Sequence, residues 1–394
     1  METIVLISPF ASIDVESSSR TLSIATVLIN EYKVECISTD FDHAKKEYKQ
    51  FLPDEVLGIK CKYLHVPAYK TNVSIKRLFS HIVFAFRLKK LLRNMKNKPI
   101  GIYCAMPTST ASFVSGRYCK QNKIKFVIDV IDLWPDSLLP ILKGVGRLLN
   151  VFLYPWKFIT KSSYKMADII LGESKKYVEV AACYNNTAVC CPIYLGVDVN
   201  SIKVQIEKSD LKIIKPKDEL WICYGGSLGT SYDFDTLISN VAYLNGKYKY
   251  KLLFIGDGTC RGKIEQLIKF YSVNALITGF VEYKDYLKYL TNCDIAVNIF
   301  RKNTRVVHSY KFNDYVATNC FIMNSLVGET SDMVNEYKIG LNFDFGNNDL
   351  GKKLVHVFEE WEKYSMWRSN NKQLISECLD KKKIYSVIPC LIKQ

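Results

Sequence analysis

Residues 220–229 read Leu220-Trp221-Ile222-Cys223-Tyr224-Gly225-Gly226-Ser227-Leu228-Gly229. A short apolar run passes into a glycine loop, and a helical stretch over Asp233–Leu244 follows. Strand, glycine loop and helix in that order form the unit of a parallel α/β layer. A strand apolar at every position is one buried on both faces. Glycines let backbone N–H groups approach a ligand closely, and a following helix N-terminus adds partial positive charge that suits phosphate. Taken alone, such a loop serves equally well as a plain tight turn.

The same unit repeats outward in both directions. Downstream, strands are expected at Lys251–Ile255, Ala275–Thr278, Ile295–Ile299, Phe321–Asn324 and Leu341–Phe343, with a further helix at Gly262–Tyr271. Upstream, strands fall at Thr3–Ser8, Val34–Thr39, Ile100–Ala105, Lys125–Val130 and Asp168–Leu171, with helices near 17–30, 74–96, 109–121 and 146–166. The alternation weakens over 199–218, a charged stretch containing Pro216 that reads as a linker. Beyond about 350 only helical pattern remains. The expected division is 1–198, a linker over 199–218, a second domain over 219–370, and a helical tail over 371–394 that packs back on the first domain. Two successive parallel α/β units place a ligand site in a cleft between them.

Length and composition agree. At 394 residues the chain is too long for one ordinary domain. A formal charge of +15 favours anionic partners: nucleotide phosphates, nucleic acid or an acidic membrane surface. No nucleic-acid-binding motif accompanies the charge, so no nucleic-acid partner is expected. The thirteen cysteines lack paired spacing, which argues against zinc and fits buried thiols in a reducing cytosol. The opening METIVLISPF has no basic leader and reads as a first strand. No run of about 18 apolar residues marks a membrane span.

Three more elements of the second half carry chemistry. Gly256-Asp257-Gly258-Thr259-Cys260-Arg261 again ends a strand and opens a helix. Asp257 orders the turn or caps the helix, and Arg261 either meets phosphate or sits at the surface. Thr278-Gly279-Phe280-Val281 ends the next strand, where backbone groups read a base edge or simply form a loop. Finally, Ser309 is a helix N-cap in His308-Ser309-Tyr310-Lys311-Phe312-Asn313-Asp314, and Asn319 suits the left-handed helix end. Lys311 and Asp314 share one face of that helix. They read either as a phosphate-binding base beside a ribose-binding carboxylate, or as a surface ion pair of little weight.

In this order the four elements resemble the donor-binding half of glycosyltransferase family 4, the large retaining GT-B family. Gly225–Gly229, Gly256–Arg261, Gly279–Val281 and Lys311–Asn319 stand where the family has its two glycine loops, its strand end and its K-x-x-E helix. In the first half, Ile131-Asp132-Leu133-Trp134-Pro135-Asp136-Ser137 looks like the D-L-W-P-E-S segment of members that build capsule and O-antigen sugars. Residues 165–171 and 192–198 resemble further family segments. Departures are plain. Of the family's two acidic positions, the second is Asp314 and the first is Val306; Thr230-Ser231-Tyr232-Asp233 lacks the basic residue usual after the first glycine loop, and Ser17-Ser18-Ser19-Arg20 replaces an amino-terminal glycine pair.

The resemblance implies an α/β GT-B fold of two Rossmann-like domains facing a central cleft, with a C-terminal helical tail. It implies a retaining, hexosyltransferase-like enzyme that moves sugar from a nucleoside diphosphate to a lipid-linked saccharide, with no metal or other cofactor. Lys311, Arg301, Arg305 and Asp132 are the expected catalytic residues. Gly226, Ser227, Gly256, Gly258, Arg261, Phe280, Val281, Ser309, Tyr310 and Asp314 are the expected donor-binding set. Two basic segments, Ile75–Lys98 and Ile141–Met166, carry eight and five Lys or Arg with no acid. They read as membrane-surface helices over anionic lipid or as core helices with a solvated face. A cytoplasmic enzyme, peripheral on the inner face of the membrane, is the expected location. An epimerase on the same fold and a non-catalytic partner subunit are the competing readings.

Overall fold

The computed structural model describes residues 1–10, 19–71, 74–138, 153–302 and 304–393. The start of the helix expected near 17, with Ser17 and Ser18, and the 141–152 part of the second basic segment lie outside them. The chain forms two units, Met1–Tyr194 with Lys383–Gln394, and Leu195–Lys382.

The first unit is built on a sheet of eight strands. They are β1 (Thr3–Ile7), β2 (Lys33–Thr39), β5 (Glu55–Val56), β6 (Ile59–Leu64), β7 (Gly101–Met106), β8 (Lys125–Val130), β9 (Ile169–Gly172) and β10 (Val189–Pro192), with β3 (Phe41–Asp42) and β4 (Glu47–Tyr48) as a separate small hairpin. The order is β10-β9-β8-β7-β1-β2-β6-β5, parallel but for the β5–β6 edge. Helices α1 (Arg20–Leu28), α2 (Ile75–Arg93), α3 (Ser109–Asn122), α4 (Tyr154–Met166) and α5 (Lys175–Ala182) lie between strands. Ser19, Ser74 and Ser174 cap α1, α2 and α5 by accepting a first-turn N–H, which satisfies donors a helix start leaves open. One buried ion pair ties the sheet to the chain leaving it. Arg20 Nε and Nη2 grip Asp129 at 2.6 and 2.8 Å, while Nη1 donates to Ile193 O at 2.6 Å.

The second unit repeats the design with β11 (Leu220–Gly225), β12 (Tyr250–Ile255), β13 (Ala275–Ile277), β14 (Ile295–Asn298), β15 (Phe321–Asn324) and β16 (Gly340–Asn342). The order is β13-β12-β11-β14-β15-β16, parallel throughout. Ile222, Leu252, Phe254, Ile295, Val297, Phe321 and Met323 fill one face of this sheet and are fully buried. Its site-bearing helices are α6 (Val199–Glu207), α7 (Phe234–Val241), α8 (Arg261–Phe270), α9 (Tyr283–Asn292) and α10 (Tyr310–Ala317). Because the strands are parallel, every loop between a strand and its following helix emerges at one edge of the sheet.

Two boundaries differ from the expectation. The stretch 199–218 is not a free linker but part of the second unit. Asp198 caps α6 through Ser201 N at 3.0 Å, Ile202 is buried, and Ser209 Oγ donates to Asp285 on α9 at 2.6 Å. Lys215 forms an ion pair with Asp294. Of the charges that suggested a linker, Lys203 and Glu207 lie on this helix and the rest on the non-helical stretch that follows it. The tail divides at Lys383: residues 371–382 stay with the second unit, and the last helix, Val387–Lys393, buries Ile388 and Ile392 in the first. All thirteen cysteines are free thiols. Among the described residues no helix is long and apolar enough to cross a membrane.

Candidate donor site

The first glycine loop is held from three sides. Gly225 N donates to Tyr315 Oη at 2.8 Å, and a Cβ on Gly225 would fall 2.5 Å from the Tyr286 ring. Gly226 has φ +114° and donates its N–H to Ile255 O at 2.8 Å. Leu228 N then bonds to Asp257 O at 2.9 Å, and Cys260 N to Leu228 O at 2.8 Å. The first and second glycine loops therefore lie backbone against backbone. A Cβ on Gly256, where φ is +144°, would sit 2.2 Å from Gly226 O; one on Gly258 would sit 2.7 Å from Leu228 O. No side chain fits either place, which is why the spacing of glycines reads so clearly in sequence. Gly256 also bridges to Gly279, so the third strand end joins the same edge.

Helix α10 delivers the charged groups to this edge. Ser309 caps it, accepting from Phe312 N at 3.3 Å, and its own hydroxyl donates to Asn298 Oδ1 at 3.4 Å. Asn298 is the first of three asparagines in one register row. Asn298 Nδ2 donates to Asn324 Oδ1 at 2.8 Å, and Asn324 Nδ2 to Asn342 Oδ1 at 2.7 Å. This ladder fixes the ends of β14, β15 and β16 and, through Ser309, the start of α10. Asn319 takes the left-handed conformation beyond the helix, φ +56°, as expected.

Lys311 does not pair with Asp314. Its ammonium donates to Tyr224 Oη at 2.6 Å and lies over three rings, 3.3 Å from the centroid of Tyr232, 4.3 Å from Tyr224 and 5.3 Å from Phe300. Tyr224 Oη in turn donates to Ser227 O at 2.8 Å, which couples the lysine to the glycine loop. Gly226 leaves the room this needs: a Cβ there would stand 3.3 Å from Lys311 Cε. Among the described residues no carboxylate lies within ion-pair distance of the ammonium. Burial alone lowers its pKa well below the ordinary lysine value. The rings repay part of that desolvation, roughly 0.5–2 kcal/mol for a cation over an aromatic face. An anion brought to this ammonium meets an undischarged positive charge in a low-dielectric setting, where electrostatic attraction is strongest.

Asp314 faces the other way. Its carboxylate accepts from Tyr283 Oη at 2.8 Å and also takes a hydrogen bond from Tyr286. Burial pushes its pKa up to about 7, against the pull of the two tyrosines. A half-protonated carboxyl between two phenols is both donor and acceptor, which suits a pair of neighbouring hydroxyls.

The other expected residues divide. Arg301 is exposed and donates Nε to Thr230 O at 2.5 Å, beside the first glycine loop. Arg305 is exposed and Val306 half-buried in the loop before α10. Arg261 is committed elsewhere: it pairs with Asp257 at 3.1 Å and Glu265 at 2.9 Å on the surface of its own helix. Its position opening α8 makes it look phosphate-directed, but two acids within one helical turn claim it. Ser227 and Tyr310 are exposed, Val281 is half-buried, and Phe280 stands out at 85% exposure. Asp132 belongs to the first unit, where its carboxyl is held by Ser137 and the Leu133 N–H and its pKa is raised by burial. Sequence reasoning missed the aromatic cage. Tyr224 stands at the end of β11, Tyr232 in the loop after it and Phe300 after β14, and the parallel pairing of these strands brings them to one lysine. Among the described residues no group of three or more His, Cys, Asp or Glu is placed to hold a metal ion.

Comparison with known proteins agrees with this geometry. Residues 205–301 match the family Glycosyl transferases group 1, a segment spanning both glycine loops, the third strand end and Phe300. The chain is a glycosyltransferase-type enzyme. Solved structures share its fold along the whole chain. Sucrose-phosphate synthase from Thermosynechococcus elongatus is 14% identical, covers 100% of this chain and 99% of its own, and has a TM-score of 0.71. HepE of Anabaena, solved in complex with UDP-glucose, is 12% identical over 100% of each chain with a TM-score of 0.67. WaaG, a glycosyltransferase involved in lipopolysaccharide biosynthesis, is 12% identical over 98% of this chain and 99% of its own, at 0.65. No curated protein matches the chain in sequence. The two Rossmann-like parallel sheets are those of the GT-B glycosyltransferases.

The loop packing gives a direct test. Gly256→Ala places a methyl in the Gly226 carbonyl and is expected to destabilise the protein by about 2 kcal/mol or more. Gly262→Ala, whose Cβ meets nothing within 4 Å, is expected to leave stability nearly unchanged. Equal melting curves for the two variants contradict the packing described.

Proposed function

We propose that the chain is a retaining glycosyltransferase of family 4 that moves a hexosyl unit from a nucleoside-diphosphate sugar to a lipid-linked saccharide, in the synthesis of a bacterial surface polysaccharide. The observation that carries the donor part is the Lys311 ammonium, buried among three rings with no carboxylate beside it and tied to the first glycine loop. A diphosphate is the anion it suits. The backbone N–H groups of the glycine loops and the N-terminus of α10 supply further donors. Arg301 is the second basic group at this edge. Asp314, between two tyrosine hydroxyls, is the group for the ribose.

In this reading the barrier is lowered where charge develops, on the departing diphosphate. Lys311 supplies that charge, and the reaction needs no metal. Attack occurs on the face the leaving group vacates, and the leaving phosphate takes the acceptor proton. No carboxylate nucleophile is required, which is why Val306 at the first acidic position is compatible with turnover. The HepE structure with UDP-glucose and the role of WaaG in lipopolysaccharide biosynthesis support the donor class and the surface-polysaccharide setting.

A membrane-facing acceptor is supported by the outside of the first unit. On α2, Ile75, Phe79 and Phe86 are 84, 55 and 70% exposed, and on α4 Tyr154 and Phe158 are 68 and 59% exposed. Lys76, Arg87, Lys89, Lys90, Arg93, Lys161 and Lys165 surround them, all exposed. Aromatic side chains over apolar lipid, with a basic rim over anionic head groups, is the arrangement of an interfacial helix. We place the enzyme in the cytoplasm, peripheral on the inner membrane face.

Two measurements check these readings. Lys311→Ala is expected to cut sugar transfer by about two to three orders of magnitude while leaving the far-ultraviolet dichroism intact; near-normal turnover rules out its role. In flotation with phosphatidylglycerol vesicles at low salt, the protein is expected to rise with the lipid, and Phe79→Ser/Phe86→Ser to stay below. A wild-type protein that stays at the bottom ends the membrane reading.

A further inference from the structure

The first unit holds a second cluster of polar atoms that the donor chemistry does not use. It lies where β1, β2, β7 and β8 end, the edge at which parallel sheets bind ligands. His81, on α2, is 3% exposed, and neither ring nitrogen has a hydrogen-bond partner among the described residues. The Thr108 hydroxyl and the Trp134 indole N–H are likewise buried, with no partner among the described residues. The rings pack as one group, and the start of α3, which Thr108 caps, is tied to it by Thr110 Oγ1 donating to His81 O at 3.0 Å. His81 lies 5.3 Å from Phe10 and 5.7 Å from Trp134, and the Arg77 guanidinium lies over both Phe10 and Trp134, at 5.3 and 5.7 Å. His43 and Lys46, half-exposed, form the outer rim. Native interiors rarely leave such groups unsatisfied, and several together point to a missing polar partner.

The chemistry of the group selects an anion. Thr108 is the N-cap of the fourteen-residue helix α3, makes no side-chain cap bond, and no acid occupies the first turn. The positive end of that helix is therefore open. Trp134 Nε1 can only donate, and a guanidinium can only donate. The charged and titratable groups facing His81 and His43 are Arg77, Lys46, Asp42 and Tyr69, whose hydroxyl lies 2.5 Å from His43 Nδ1, and Arg77 itself faces Tyr69 and Asp132. Burial, and then Arg77, hold His81 neutral, down to about 3, and His43 to about 4. The positive charge that lowers them is the one an anion meets.

We propose that His81, Thr108, Trp134 and Arg77 form a phosphate-binding subsite, and that its occupant is the phosphate or diphosphate group of the acceptor. The assignment to the acceptor rests on the transferase reading above; the site itself does not. Trp134 Nε1–H and the Thr108 hydroxyl donate to phosphate oxygens, Arg77 offsets their charge, and the neutral imidazole of His81 contributes one more N–H.

The test uses the full chain labelled with nitrogen-15 at tryptophan, the Trp134 indole resonance being assigned with Trp134→Phe. Inorganic pyrophosphate is expected to shift that resonance saturably. Arg77→Gln and, as a smaller change, Thr108→Val are each expected to weaken the response on the order of tenfold or more, with Lys311→Ala leaving it unchanged. A short-chain polyprenyl diphosphate acting at lower concentration than pyrophosphate identifies a lipid-linked source, and equal potency a soluble phosphorylated sugar; both support the site. No shift with pyrophosphate, a shift lost in Lys311→Ala, or a response confined to phosphatidylglycerol vesicles overturns it. UDP-glucose stabilisation of the same variants is read separately, so failure of this subsite and failure of the donor reading are told apart.

Discussion

The second unit is organised around one half-buried ammonium, that of Lys311, with no carboxylate at ion-pair distance among the described residues. A lysine taken out of water is unstable in its charged form unless something replaces the lost hydration. Here the replacement is partial: one phenol oxygen and the faces of three rings around Lys311. The rest of the edge follows from keeping that group in place. Gly226, at φ +114°, holds a backbone conformation that favours glycine beside the lysine stem, and Gly256 must be glycine so that the second loop can lie on the first. The asparagine row from Asn342 to Asn298, continued by Ser309, holds the start of α10. A diphosphate, as on the sugar donor proposed above, is the anion such an ammonium suits.

The first unit uses the opposite solution for its own buried cation. Arg20 is neutralised in full by Asp129 in a two-pronged contact, with Tyr103 donating to the same carboxylate. That is a closed structural pair, and its worth is in holding the sheet to the chain that leaves it. Lys311, over three rings and with no carboxylate at ion-pair distance among the described residues, is the contrasting case.

Much of this was legible in the residues, for physical reasons. Residues 126–128 and 321–323 form the middle of their strands because burial on both faces demands an apolar run. The glycine loops were visible because backbone-on-backbone contact admits no other residue. Strands β6 and β10 escaped notice. Ile59–Leu64 alternates with lysines, and Val189–Pro192 lies at the sheet edge with most of its side chains exposed, so neither shows a buried pattern. Helix α6 was hidden by charge, since Ile202 is its one buried residue. Arg261 looked like a phosphate ligand because sequence shows a base after a glycine loop, not the two acids that bind it. The cage around Lys311 depends on contacts from residue 224 to 311, which no local pattern reports.

The central claim is that Lys311 meets the donor diphosphate. Because burial lowers its pKa, diphosphate binding must raise it again, and the protein must take up a proton at pH values between the lowered and the raised pKa. The diphosphate has no ionisation of its own near neutrality, and the measurement is kept below the alkaline range in which a uracil N3–H ionises. Calorimetry of UDP-glucose binding in buffers of differing ionisation enthalpy reads that uptake. The account predicts net proton uptake by the wild-type protein that is absent in Lys311→Met; binding with no proton uptake, or with equal uptake in the variant, contradicts it.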